Sequence, residues 1–181
     1  MTLIKIPEND LIVHNQIFKT DNHPIYGKIY PSNAKLYIHS TVLKKLIDIS
    51  IIAKNNWNVE TCIFDAYRPL RYQKILIEKN PIKNSNYVSD EKISFHSRGT
   101  AIDIAFIKNG KLLDYPPVSF DEKSHHDYAD LPKDQIDNRE NLKKIMIENG
   151  FEPYQYEWWH YNFVGWENYP ILDVDFDELI W

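Results

Sequence analysis

The stretch from Gly99 to Tyr115, GTAIDIAFIKNGKLLDY, limits the possible folds more than any other. Successive side chains on a strand point to opposite faces. Ala101, Asp103 and Ala105 therefore share one face, and Ile102, Ile104 and Phe106 share the other. Asn109 and Gly110 then reverse the chain into a second strand, since both residue types tolerate the positive φ of a tight hairpin turn. The apolar face has to meet a core. Asp103 then points to the opposite side, between two small residues that leave space around it.

The remaining elements arrange themselves around this hairpin. Thr41 to Asn56 carries Leu43, Leu46, Ile47 and Ile51 at helical spacing. ETCIFDAYR reads as a buried strand ending near Asp65, and Pro69 suits the first turn of a helix running to Lys79. Asp137 or Asn138 is expected to cap a helix that ends at Gly150. The aromatic run YQYEWWHYNFVG reads as a further strand. Interspersed strands and helices with a hairpin among them favour an α+β fold built on an antiparallel sheet.

At 181 residues the chain suits a single domain, 1–181, with a full core. A net charge of -5 gives no electrostatic reason to expect nucleic acid or an anionic membrane as partner. No apolar stretch is long enough to span a bilayer, and the N-terminus meets charge and proline too early for a secretory signal, so the expected compartment is the cytoplasm. The oligomeric state is not legible. Cys62 is the single cysteine, so a metal site here has to use His, Asp or Glu.

Such ligands are present. His96 lies just before the glycine turn that leads into the Asp103 strand, and can fold back towards it. Taken alone, this pair also fits a loop histidine and a surface carboxylate. EWWH adds Glu157 and His160. His96, Asp103 and His160 would make two imidazoles and one carboxylate with a fourth position open, a catalytic zinc set, one Zn2+ per chain. Glu157 is left over as general base. Residues three apart on a regular strand face opposite ways, so a bulge or strand end has to separate Glu157 from His160. Arg68, at the end of a strand, fits either a salt bridge or a fixed positive group for a tetrahedral oxyanion. His125 and His126 are adjacent and cannot easily chelate one ion, and read as loop residues. His14, His23 and His39 have no partner pattern.

These residues carry a resemblance. Ser94, His96, Gly99, Ala101 and Asp103 match the S-x-H-x-x-G-x-A-x-D pattern of the zinc D-Ala-D-Ala peptidase superfamily, and Glu157, Trp159 and His160 match its E-x-W-H. DAYRP, Asp65 to Pro69, and SFDEKSHH, Ser119 to His126, resemble the VanX-type D-alanyl-D-alanine dipeptidase branch. The resemblance implies zinc on His96, Asp103 and His160, Glu157 as base, and Arg68 as stabiliser of the tetrahedral intermediate. It implies that Asp121 receives the substrate ammonium, with Ser94 and Asp65 in substrate contacts or just behind them. It also implies a small central antiparallel sheet with flanking helices and the site in a groove on it, acting on a small dipeptide. The same zinc set serves peptidoglycan D,D-carboxypeptidases and L,D-endopeptidases, and non-catalytic zinc modules share the fold. The chain departs from the pattern at DNHPIYG, Asp21 to Gly27, and in the short segment before Ser94.

Overall fold

The computed structural model describes residues 3–21, 23, 26–82 and 86–179. The elements in chain order are β1 (Leu3–Lys5), β2 (Ile12–His14), β3 (Tyr37–His39), α1 (Ser40–Trp57), β4 (Glu60–Asp65), α2 (Leu70–Lys79), β5 (Ala101–Lys108), β6 (Lys111–Leu112), α3 (Lys133–Glu148), β7 (Phe151–Pro153) and β8 (His160–Phe163). The main sheet runs β2-β4-β5-β8-β7, with β6 paired to β5 as the hairpin partner. Strands β1 and β3 form a separate antiparallel pair. The sheet is antiparallel except at one edge, where β2 runs parallel to β4. The fold is α+β.

The hairpin forms as its residues require. Asn109 and Gly110 both take positive φ, 53° and 74°. Seven of the eight residues of β5 are buried, because the strand is central and covered on both faces. Ile102, Ile104 and Phe106 enter the main core with Val42, Leu46, Ile49 and Ala53 of α1. That helical stripe is rotated from the expected one. Leu46 is common to both, but Ile51 is 42% exposed. The buried Ser50 sits in the stripe because its hydroxyl is satisfied twice, by the Leu46 carbonyl and by Thr61 on β4, each at 2.8 Å. A second cluster, rich in tyrosine and phenylalanine, gathers Phe18, Tyr30, Tyr37, Tyr67, Leu76 and Phe176.

Two expected boundaries move. Helix α3 begins at Lys133 after Pro132, so Asp137 and Asn138 lie inside it rather than at its cap. Asp137 pairs with Lys133 one turn back, and Asn138 Nδ2 donates to the Asp114 carbonyl at 2.8 Å. Of the aromatic run only His160–Phe163 is strand, β8, which pairs with β7 just before the run, residues 154–159 forming the connection. Among the described residues, no helix is long and apolar enough to cross a membrane.

Candidate metal centre and its cavity

Three elements deliver the ligand atoms. Asp103 on β5 is registered directly opposite His160 on β8, so both side chains leave the same face of the sheet. His96 opens a 3-10 turn, His96–Arg98, that closes on Gly99. Gly99 is required there. Its φ is 69°, and an added Cβ would lie 3.3 Å from the His39 backbone nitrogen and 2.7 Å from Leu3 Cδ2.

The result is a compact triangle. His160 Nδ1 lies 3.0 Å from Asp103 Oδ1, His96 Nε2 lies 3.1 Å from His160 Nδ1, and His96 Nε2 lies 3.4 Å from Asp103 Oδ1. Ligands about 2.0–2.1 Å from a tetrahedral ion stand roughly 3.3 Å apart, so these edges fit. The outer nitrogens fix the tautomers. His96 Nδ1 donates to the Ala66 carbonyl at 2.6 Å, and His160 Nε2 donates to Asn162 Oδ1 at 2.8 Å. Both inner nitrogens then present lone pairs to a carboxylate oxygen. Three acceptors meeting at one point attract a cation, and His96, Asp103 and His160 are the group that could hold a metal ion. The protonation behaviour agrees. Burial alone would raise Asp103, but the two imidazoles hold it well below the usual carboxylate range. Burial works against a charged His160, and Asp103 outweighs it and pushes the imidazole up.

Glu157 stands beside this triangle and outside it. Its Oε2 is 3.8 Å from His160 Nδ1. It belongs to the turn before β8, and its carbonyl accepts from the His160 N–H at 3.1 Å. The strand end required between the two residues is thus present. Burial pushes Glu157 up to about 8, with Asp103 adding to the effect and His160 and Arg68 opposing it.

Arg68 reaches the same cavity from the loop between β4 and α2. Its Nη2 and Nε donate to Asp65 Oδ2 at 2.6 and 3.1 Å, and its Nη1 donates to Gln73 Oε1 at 2.7 Å. The guanidinium lies 5.1 Å from the Phe18 ring centroid. Those bonds use three of its five N–H groups. Among the described residues, one N–H on each terminal nitrogen has no protein acceptor. Desolvation opposes the charge, but Asp65 more than compensates, and Arg68 stays a cation.

The other expected substrate residues lie elsewhere. Asp65 is fully buried behind Arg68, where it also accepts from Tyr30 Oη at 3.0 Å. Ser94 is buried in the turn before His96, bonded to Ser97 Oγ at 2.8 Å. Asp121 is exposed and does not line the cavity. Its Oδ1 accepts from the Lys123 N–H at 2.9 Å and from Ser119 Oγ at 2.8 Å, so it caps a 3-10 turn while Phe120 takes the wall position. His126 is buried away from the cavity, and His125 holds Tyr87 Oη at 3.0 Å.

The cavity itself measures ≈ 70 Å³. Its wall is largely aromatic, with Phe18, Tyr26, Tyr87, Phe120, Tyr154 and Trp159 contributing. Both segments that depart from the family pattern border it, through His23 and Tyr26 and through Asn86–Ser89. Asn22, Pro24 and Ile25 of the first, and Lys83, Asn84 and Ser85 of the second, lie outside the described residues. Burial, reinforced by Arg68, pushes His23 down to about 4, leaving a neutral ring whose Nδ1 accepts from the Tyr26 N–H. No sequence pattern marked His23, Asn162 or Gln73. Each acts through hydrogen bonds that only the fold creates.

The pattern of the D-ala-D-ala dipeptidase family of peptidases matches residues 19–176. A D-alanyl-D-alanine dipeptidase of Escherichia coli (strain K12) is 34% identical over 175 residues, spanning 92% of this chain and 86% of that protein. One from Enterococcus faecium is 34% identical over 137 residues, spanning 63% of this chain and 66% of that protein. A solved LD-carboxypeptidase aligns with a TM-score of 0.48 at 19% identity, covering 89% of this chain and 71% of that one, a likeness too loose to bear on substrate.

Proposed function

From its membership of the D-Ala-D-Ala dipeptidase family, established by the match over residues 19–176, we propose that this chain is a zinc-dependent dipeptidase of the cytoplasm that hydrolyses D-Ala-D-Ala or a close D,D-dipeptide. The observation that carries this reading is the convergence of three acceptor atoms, with the Glu157 carboxylate and the Arg68 guanidinium facing the same small cavity. Neither Glu157 nor Arg68 is needed to hold a metal, so both are free for chemistry.

His96, Asp103 and His160 would hold the zinc. Bound there, the ion would supply Lewis acidity towards the peptide carbonyl and the attacking water. Glu157 takes the proton of the attacking water as the new C–O bond forms, then delivers it to the leaving amine as the C–N bond breaks. Its raised pKa suits both halves of that task. The two uncommitted N–H groups of Arg68 donate to the developing oxyanion. Asp65 keeps the guanidinium in place from behind.

The test compares metal-loaded protein on D-Ala-D-Ala, L-Ala-L-Ala and N-acetyl-D-Ala-D-Ala, with release of free amine measured. D-Ala-D-Ala alone should be cleaved. Equal rates on the free and acetylated substrates would overturn the dipeptidase reading in favour of a carboxypeptidase.

A further inference from the structure

We propose that Gln73 is a positioning residue that ties the orientation of Arg68 to one wall of the cavity. Gln73 lies in the first turn of α2 and is 1% exposed. Both ends of its carboxamide are used. Oε1 accepts from Arg68 Nη1 at 2.7 Å, and Nε2 donates to the Ser89 carbonyl at 2.7 Å. The amide orientation is forced, because the cation can only donate and the carbonyl can only accept. Tyr87, Val88 and Ser89 line the cavity. That segment is also tied by Tyr154 Oη to the Asn86 carbonyl at 2.6 Å, by Tyr87 Oη to His125, and by stacking of Tyr87 on Phe120.

The geometry of Arg68 explains why a second anchor matters. Both of its bonds to Asp65 end on the same oxygen, Oδ2. Nε also reaches Tyr30 Oη, at a longer 3.3 Å, but both of these partners sit on the Nε and Nη2 edge of the group. Gln73 holds the opposite terminal nitrogen, Nη1, and fixes the plane, which sets where the two uncommitted N–H groups aim. The same amide holds the wall, so a substrate pressed against residues 87–89 also bears on the aim of Arg68. Glutamate cannot replace it, since a carboxylate has no N–H for Ser89. Methionine, similar in shape, can do neither.

The kinetic arm of the test rests on the dipeptidase reading. Gln73→Met should lower kcat about 10-fold or more, the scale of a lost hydrogen bond to a charged group. It should also raise KM, because the wall is released. In an Arg68→Ala background the same substitution should leave kcat unchanged, having no guanidinium to misplace, and should still raise KM. An equal fold-loss of kcat in both backgrounds would mean a merely structural role and overturn the proposal. A second arm needs no substrate. Hydrogen exchange at the amides of residues 86–90 should quicken in both Gln73→Met and Gln73→Glu, with metal content unchanged. Exchange identical to wild type would overturn the proposal. Absence of D-Ala-D-Ala hydrolysis in wild type would strike the dipeptidase reading alone and leave the exchange result to judge Gln73.

Discussion

Glu157 is a carboxylate placed where a carboxylate is poorly accommodated: buried among aromatic rings, near Asp103. Those two effects push its pKa up to about 8 before any metal ion is counted. A divalent cation on the neighbouring triad favours the ionised form and brings the value down. The acid limb of kcat/KM should therefore fall above the ordinary carboxylate value of 4.5 and below about 8. The sign follows from the role. A base works when ionised, so activity rises with pH through this pKa. Glu157→Gln should lower turnover about 100-fold or more and abolish the limb, while metal content stays at the wild-type level. The profile has to be recorded with metal in excess, so that loss of the ion does not mimic the limb. A limb unmoved in the variant would assign it to another group and remove Glu157 as base.

At the scale of elements, the site is a meeting of four pieces, and they were unequally visible in the sequence. The β5 hairpin was legible because alternation and an Asn-Gly turn are local signals. The start of α2 was legible from Pro69, which sits at its N-cap. Strands β1, β2 and β3 have three residues each, too few to show a period, and were not read. The turn-capping role of Asp121 was not legible, because a carboxylate that caps a turn and one that meets an ammonium look the same in sequence. The C-terminal segment's link to the site was not read, since it runs through backbone bonds. Leu172 accepts from the Leu70 N–H at 3.1 Å and donates to the Ser97 carbonyl at 2.8 Å. It thereby bridges the start of α2 to the turn that carries His96. Arg71 reinforces this strap through Asp173 and Asp175. Leu172→Pro removes the donor to Ser97 and should cost about 1–3 kcal/mol of stability, because a buried carbonyl loses its partner. It should also weaken metal binding by loosening the His96 turn. Leu172→Ala keeps the N–H and should spare metal affinity. Equal metal affinities for the two variants, measured by competition with a chromogenic chelator, would detach the strap from the site.

For the whole molecule, the triad that could hold a metal is a conflict that a cation relieves. Two lone pairs and a carboxylate oxygen are held about 3 Å apart by β5, β8 and the His96 turn. Without a metal, a proton is the available substitute, and this is why Asp103 pushes His160 up from its ordinary 6.5 in spite of burial. Metal and proton thus compete for one site. A metal that binds only the folded chain stabilises it by mass action, about 4 kcal/mol when its free concentration is 1,000 times Kd. For a chain of this length each kcal/mol moves Tm by about 2–4 °C, so chelation at pH 8 should lower Tm by roughly 8–16 °C. The pH dependence has a definite sign. A group whose folded pKa is raised is protonated below it, and protonated His160 cannot ligate. The chelator-sensitive part of Tm should therefore shrink as pH falls through the raised His160 pKa, and be small by about pH 5, well below the ordinary imidazole value. Thermal scans with and without chelator at both pH values test this. An equal chelator effect at pH 5 and pH 8 would mean that the stabilising metal sits on ligands other than His96, Asp103 and His160.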